Sequence, residues 1–300
     1  MRFSIVTPSY NKGRFIGETI ESVLSQEGDF EIEYIIQDGG STDDTIDIIK
    51  SYDELLRAHS YPIKCGRVTL SWYSEKDTGM YDAINKGFAH AMGDILAYIN
   101  ADDVYIPGAF QKIAATFRAF PEIAWLTGTI STIDADSKTL GREPCRIYNQ
   151  KWIAMGIYGR NAYFITQDSV FWRKELWQKL EHIDTQFTLA GDYYLWVHFA
   201  AFAPLWSLNV NVSSFRKTPG QLSENMTRYR DEQARISKPR GLLAFIVKLF
   251  FWLSSRSRTP FYTKTFLFLY RICFPSRNRQ YIEMDKHAIP HIKDAYSHTI

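Results

Sequence analysis

The stretch Ile95-Leu96-Ala97-Tyr98-Ile99-Asn100-Ala101-Asp102-Asp103-Val104-Tyr105-Ile106-Pro107 decides the architecture. Its first half is an apolar run of strand length that breaks into two adjacent carboxylates. Pro107 then suits the first turn of a helix, where its missing N–H would be unpaired in any case, and the pattern predicts a helix over residues 107–120. A buried strand at 95–100, a polar strand end and a helix make one unit of an alternating chain. The same grammar extends both ways. Residues 3–7, 33–37, 68–72 and 123–127 read as strands, and 15–26, 42–52 and 80–92 as helices. Strands alternating with helices imply an α/β fold, a Rossmann-like and mostly parallel sheet flanked by helices. Ligands of such sheets bind outside the carboxyl ends of the strands.

Four polar clusters fall at those ends: Thr7-Pro8-Ser9-Tyr10-Asn11, then Gln37-Asp38-Gly39-Gly40-Ser41-Thr42-Asp43-Asp44, residues 75–87, and Asn100-Ala101-Asp102-Asp103. Gly39 and Gly40 allow close backbone approach, and Ser41 or Thr42 can cap the next helix. The adjacent Asp102 and Asp103 repel each other, and Mg2+ or Mn2+ would relieve that repulsion. Such ions use one or two carboxylates and complete their shell with phosphates and water. A solvated acidic turn before a helix N-terminus accounts for the pair as well, so the weight rests on four clusters at successive strand ends. Asp192 reads equally as a general base or as the N-cap of a helix over 193–201. No GxxxxGK loop and no GxGxxG fingerprint occur, so ATPase and dinucleotide readings have no support.

Composition sets the outer limits. Three hundred residues with 45% hydrophobic and 23% charged side chains exclude a disordered chain, a collagen-like repeat and a disulfide-stapled miniprotein. A net charge of +2 argues against a nucleic-acid partner, yet the charge is unevenly spread. Residues 226–300 hold 14 Lys+Arg against 5 Asp+Glu, a net of +9, which leaves −7 for residues 1–225. In this basic tail Leu242, Leu243, Phe245, Ile246, Leu249, Phe250 and Leu253 recur at helical spacing among Lys238, Arg240, Lys248, Arg256 and Arg258. A helical, amphipathic extension of this kind suits an anionic membrane surface through residues 240–275; packing onto the body or a dimer contact are the alternatives. Its apolar runs, 241–253 and 266–274, are too short to span a bilayer. Cys65, Cys145 and Cys273 show no metal or redox spacing. With an N-terminus unlike a signal peptide, they lead us to expect reduced thiols in a cytoplasmic protein, peripheral at the inner face of the plasma membrane.

Taken in order, Ile5-Val6-Thr7-Pro8-Ser9-Tyr10-Asn11, Gln37-Asp38-Gly39-Gly40-Ser41-Thr42-Asp43 and Asn100-Ala101-Asp102-Asp103 resemble the family 2 glycosyltransferases of GT-A fold. Residues 75–87 are similar to a stretch in the branch that builds bacterial surface polysaccharides. Gln167-Asp168-Ser169-Val170-Phe171-Trp172-Arg173-Lys174 and Gly191-Asp192-Tyr193-Tyr194-Leu195-Trp196 resemble that family's acceptor-side and catalytic-base segments. The likeness covers about residues 3–225 and implies a catalytic domain there, with a nucleotide-sugar half at 1–128, an acceptor half at 129–225, and an extension at 226–300.

The resemblance further implies roles. Pro8, Ser9 and Tyr10 would line the nucleotide-base pocket and Asp38 would accept from the base ring. Asp77, Asn85 and Lys86 would contact the nucleotide and diphosphate, Asp102 the ribose, and Asp103 the metal; Asp192 would be the general base. The implied reaction is an inverting transfer from a nucleotide sugar, UDP-linked, to a glycan or lipid-linked acceptor. Many relatives carry a His in the loop near 215–223, where this chain has Thr218; Arg216 or Lys217 is the remaining cation for that role. A sugar nucleotidyltransferase or a nucleotide-sugar-binding protein without transferase activity is the alternative. The aromatic residues Trp152, Tyr158, Tyr163, Phe164, Phe171, Trp172 and Trp177 read as core first and as a sugar platform second.

Overall fold

The computed structural model describes residues 1–159, 163–238, 245 and 280–294. The parallel half of the sheet comprises β1 (Arg2–Ser9), β2 (Gly28–Asp38), β3 (Cys65–Ser74) and β4 (Ile95–Tyr98), joined in turn by α1 (Gly13–Leu24), α2 (Thr45–Arg57) and α3 (Met80–Ala89). After β4 come the short β5 (Val104–Tyr105) and α4 (Ala109–Ala119), then β6 (Trp125–Ile133), β7 (Thr139–Arg142) and α5 (Gln150–Ala154). A 3-10 turn at Gln167–Ser169 leads into β8 (Val170–Arg173), α6 (Lys174–Trp177), α7 (Gly191–Phe202) and β9 (Leu205–Arg216). The described residues close with a 3-10 turn at Leu222–Glu224, α8 (Met226–Ile236), β10 (Gln280–Met284) and β11 (Pro290–Asp294).

The strand order is β11-β10-β9-β6-β8-β4-β1-β2-β3, with β5 on β9 and β7 on β6. β3, β2, β1 and β4 run parallel, as the alternating pattern requires. β8 inserts antiparallel between β4 and β6, and this reversal separates the two halves of the sheet. One face packs Ile16, Ile20 and Val23 of α1, Ile49 of α2, and Phe110, Ile113 and Phe117 of α4. The other packs Ile84 and Phe88 of α3, Trp152 of α5, and Leu195, Trp196 and Phe199 of α7. Each fully buried aliphatic or aromatic side chain contributes about 2 kcal/mol, so the two faces fix the strand ends firmly. The register then aligns Ser9, Asp38 and Ser74 across three neighbouring strand ends.

Several boundaries differ from the expectation for local reasons. α4 starts at Ala109, because Gly108 adopts a left-handed conformation (φ 73) and leaves Pro107 outside the helix. α2 starts at Thr45, because the Asp43 carboxylate binds both the amide and the hydroxyl of Thr45 at 3.1 and 2.5 Å. β6 runs on to Ile133 through register shifts opposite β9.

Residues 226–300, expected to be a helical extension, contribute to the body of the molecule where they are described. α8 packs on α7, and β10 adds to the sheet beside β9 through Ile282 and Leu208, both fully buried. The described parts of the tail therefore complete the body formed by residues 1–225, and two of its elements are strands. The amphipathic stretch proposed for a membrane surface, 240–275, lies outside the described residues but for Phe245. Among the described residues no helix is long and apolar enough to cross a membrane.

Candidate active site at the strand ends

The loops after β1, β2 and β3 are tied together. Gly39 N–H donates to Ser9 O at 2.8 Å, Glu75 N–H to Asp38 O at 3.0 Å, and Thr42 N–H to Asn11 Oδ1 at 2.8 Å. Pro8 and Ser9 are buried at this edge, with the Ser9 hydroxyl unpartnered, while Tyr10 is 59% exposed and free to offer its ring face. Asp38 is fully buried, and its carboxylate receives Gly40 N–H, Ser41 N–H, Ser41 Oγ and Ser74 Oγ at 2.5–2.9 Å. Three of these donors meet Oδ2 and Ser41 Oγ alone meets Oδ1, so Asp38 shapes the loop and its Oδ1 keeps one acceptor position.

Asp77 stands beside it. A Cβ on Gly39 would lie 2.7 Å from Asp77 Oδ2, so the glycine permits this approach. Asp77 Oδ1 accepts from Gly79 N–H at 2.9 Å. Burial, with the charges of Asp82 and Asp38, pushes its carboxyl up against the pull of Gly79 and Lys86. Lys86 itself lies 3.2 Å from Glu75 and 3.5 Å from Asp82. Asn85 departs from its expected nucleotide contact: its amide group exchanges two hydrogen bonds with the backbone of Ile183, at 2.7 and 2.8 Å. It anchors the segment leading to Asp192.

At the end of β4, Asp102 and Asp103 face different partners. Asp102 Oδ2 lies 2.6 Å from Lys12 Nζ, and Gln221 Nε2 stands 3.4 Å away. Asp103 is fully buried; Arg216 N–H donates to its Oδ1 at 2.8 Å and Asn100 Nδ2 to its Oδ2 at 3.1 Å. Burial, then the charges of Asp168 and Asp102, pushes Asp103 well up. Asp168, in the 3-10 turn before β8, is pushed to about 6 by burial although Ser213 Oγ donates to it at 2.7 Å. Arg216 does not face the cleft. Its guanidinium reaches Glu18, the carbonyls of Asp134 and Ala135, and the Asp102 carbonyl, with no exposed surface. Arg216 thus stands behind Asp102 and Asp103 rather than in the cleft, and from this loop Gln221 Nε2 approaches Asp102 Oδ2.

Asp192 lies in the first turn of α7, half-buried. It is not the helix cap: the N-cap is Ala190, and the amides of Leu189 and Ala190 donate to Glu232 at 2.9 Å each. Tyr81 Oη accepts Asp192 N–H at 3.2 Å and donates to Leu189 O at 3.0 Å. Gly191 makes room for this, since a Cβ there would meet the Tyr81 ring at 2.7 Å. The carboxylate accepts from Tyr193 N–H at 2.7 Å and from Tyr229 Oη at 3.1 and 3.3 Å. Burial raises it to about 6 against those donors. Burial, then the charges of Tyr81, Asp192 and Asp168, push the Tyr98 hydroxyl of β4 well up.

The pattern of glycosyl transferase family 2 matches residues 4–180. The chain belongs to this family. An uncharacterized glycosyltransferase of Nostoc is 31% identical over 140 residues, 47% of this chain and 40% of the relative. The chain spans a third to a half of the length of the curated relatives it matches. Residues 1–349 of Staphylococcus aureus TarS in complex with UDP-GlcNAc give a TM-score of 0.53 at 16% identity, over 88% of this chain and 76% of that one. The mannosyltransferase PcManGT of Pyrobaculum calidifontis, in complex with GDP-Man and Mn2+, gives 0.53 at 15% identity, over 88% and 72%. The α/β sheet of this family 2 glycosyltransferase is thus of GT-A type.

A divalent cation fits the oxygens around Asp103. Asp168 Oδ1 and Asn100 Oδ1 are buried there without a hydrogen-bond partner, and an all-oxygen set suits a hard ion. Among the described residues no three acidic, histidine or cysteine side chains converge on one point, so substrate phosphates and water would complete the shell. The aromatic residues divide as expected: Trp152, Tyr158, Phe171, Trp172 and Trp177 are core. Tyr163 and the 43% exposed Phe164 line a cavity of about 200 Å³ together with Arg146, Thr129 and Thr166.

Sequence reasoning gave no role to Lys12, Asp168, Tyr81, Tyr229 or Glu232. Asp168 and Tyr81 lay inside quoted motifs. The partners of Tyr229 and Glu232 are about 40 residues away, and local spacing carries no signal for such a contact.

Proposed function

We propose that this family 2 glycosyltransferase moves a sugar from a UDP-linked donor to a hydroxyl of a glycan or lipid-linked acceptor in surface-polysaccharide assembly at the cytoplasmic face of a membrane, inverting the anomeric centre in a single displacement. The observation that carries the reading is Asp192. This half-buried carboxylate is raised to about 6 by burial and is hydrogen-bonded to hydroxyl and amide donors. A base poised there takes the proton of the attacking hydroxyl as the new bond forms, and one carboxylate suffices for that task.

Pro8, Ser9 and Tyr10 would border the nucleotide base, with Asp38 accepting from its ring N–H through Oδ1 and Asp77 beside it. Asp102 would approach the ribose, and Lys86 and Lys12 would supply positive charge beside the diphosphate. A divalent cation held by Asp103, Mn2+ or Mg2+, would offset the charge that develops on the leaving diphosphate. Support for the donor class comes from the fold shared with the UDP-GlcNAc complex of TarS and, for the ion, from the Mn2+ complex of PcManGT.

Calorimetric titration with UDP and with GDP, each with and without Mn2+, tests the donor half. Metal-dependent binding of UDP, abolished by Asp103→Asn, is the expected result. Binding of GDP alone would reassign the base, and binding of neither would return the chain to a silent or different nucleotide site.

A further inference from the structure

One face of α8 is pressed against the start of α7. Tyr229, Glu232 and Gln233 are spaced three and four residues apart, so they share that face. Glu232 is 4% exposed and takes the free amides of Leu189 and Ala190, with Thr188 Oγ1 donating to its other oxygen at 3.0 Å. Capping of α7 is thereby complete without Tyr229. The Tyr229 hydroxyl goes instead to both oxygens of Asp192.

We propose that Tyr229 is a positioning residue for Asp192: its hydroxyl fixes the carboxylate plane and favours the ionised form, so that α8 is part of the catalytic apparatus. This rests on the reading of Asp192 as the base. Tyr81 cannot substitute, because it has one proton and directs it to Leu189 O while it accepts Asp192 N–H, and the Tyr98 hydroxyl makes no hydrogen bond to Asp192. A phenol donating to a carboxylate is a charge-assisted bond, stronger to the ionised than to the neutral acid. It therefore opposes the burial of the site and the charge of Glu232, which both raise Asp192. The titratable groups facing Asp192 are Tyr81 from α3, Tyr98 from β4, and Tyr229 and Glu232 from α8. Of these, Tyr229 alone donates to the carboxylate among the described residues. The Tyr229 ring meets Phe164 edge-on at 5.9 Å, and Phe164 borders the 200 Å³ cavity. The Tyr229 ring is thus held by Phe164 on the side of that cavity.

The test uses the full chain labelled with carboxyl-13C aspartate, the Asp192 resonance being assigned by its loss in Asp192→Asn. In the unaltered chain this resonance should titrate near 6. In Tyr229→Phe, which keeps the ring and its contact with Phe164, the midpoint should rise by about one pH unit, while UDP affinity stays unchanged. An unmoved midpoint overturns the proposal. A second measurement needs no tyrosine variant: the ring-carbon resonance of Tyr229 in 13Cζ-tyrosine protein should shift as pH crosses about 6 and stay flat in Asp192→Asn. A flat response in the unaltered chain also overturns it. If both signals move yet Asp192→Asn retains full transfer, the contact between the two residues stands and the assignment of Asp192 as base falls.

Discussion

A carboxylate works as a general base when it is ionised at the working pH and yet retains some affinity for a proton. Asp192 meets this by opposition: burial lifts it to about 6, while the Tyr193 amide and the Tyr229 hydroxyl pull it back. Only the ionised form accepts a proton, so transfer should rise as pH increases through about 6 and fall away below it. Replacing Asp192 by Asn should keep nucleotide affinity and lower the transfer rate by about 10²–10⁴-fold; steady-state rates across pH 5–8, with UDP titration as the binding control, read both effects. Neighbouring acids of the same type have other tasks. Asp38 holds a loop through three donors on Oδ2 and one on Oδ1, whereas Asp77 keeps Oδ2 beside Gly39 at the crevice. The position of Asp38 at a strand end was legible in the sequence. The crowding of its Oδ2 was not, because Ser74 reaches it from a strand 36 residues away.

At the scale of elements, α3 and α8 hold the segment before α7 from two directions. α3 contributes Asn85 and Tyr81, and α8 contributes Glu232 and Tyr229. Glu232 is net acidified, burial being outweighed by the amides of Leu189 and Ala190, as an ionised cap requires. Glu232→Ala should leave those amides and the Thr188 hydroxyl unpaired, costing about 2 kcal/mol and lowering Tm by about 5 °C. Glu232→Gln retains an acceptor and should lose less; thermal unfolding of the two variants side by side measures the difference. An equal Tm for Glu232→Ala and the unaltered chain would show that water satisfies these amides. The strands and helices of residues 1–128 were readable because apolar period and turn residues agree locally there. β9 was not, since its register shifts against β6 and its pairing with β5 break the alternation that a buried strand shows in sequence.

The whole molecule divides its charge unevenly, with a net of +9 over residues 226–300. This asymmetry was read as the mark of an appendage, yet Ile282 is fully buried in the core and β10 extends the sheet at β9. A chain ending at residue 238 would expose that sheet edge and uncover β9 along the strand that carries Arg216 to Asp103. Weakened membrane binding by such a truncation would therefore confound anchoring with unfolding. Charge removal in the intact chain separates them. The triple variant Lys248→Gln, Arg256→Gln and Arg258→Gln keeps the chain at full length, and its Tm serves as the control for unfolding. Each basic side chain near an anionic surface is worth about 1 kcal/mol, and the three together should weaken binding to phosphatidylserine vesicles by about 100-fold at low salt. Co-sedimentation with phosphatidylserine and with phosphatidylcholine vesicles decides the matter. Loss confined to the anionic vesicles assigns these residues to a membrane surface, and equal binding by both proteins assigns the excess charge to another partner.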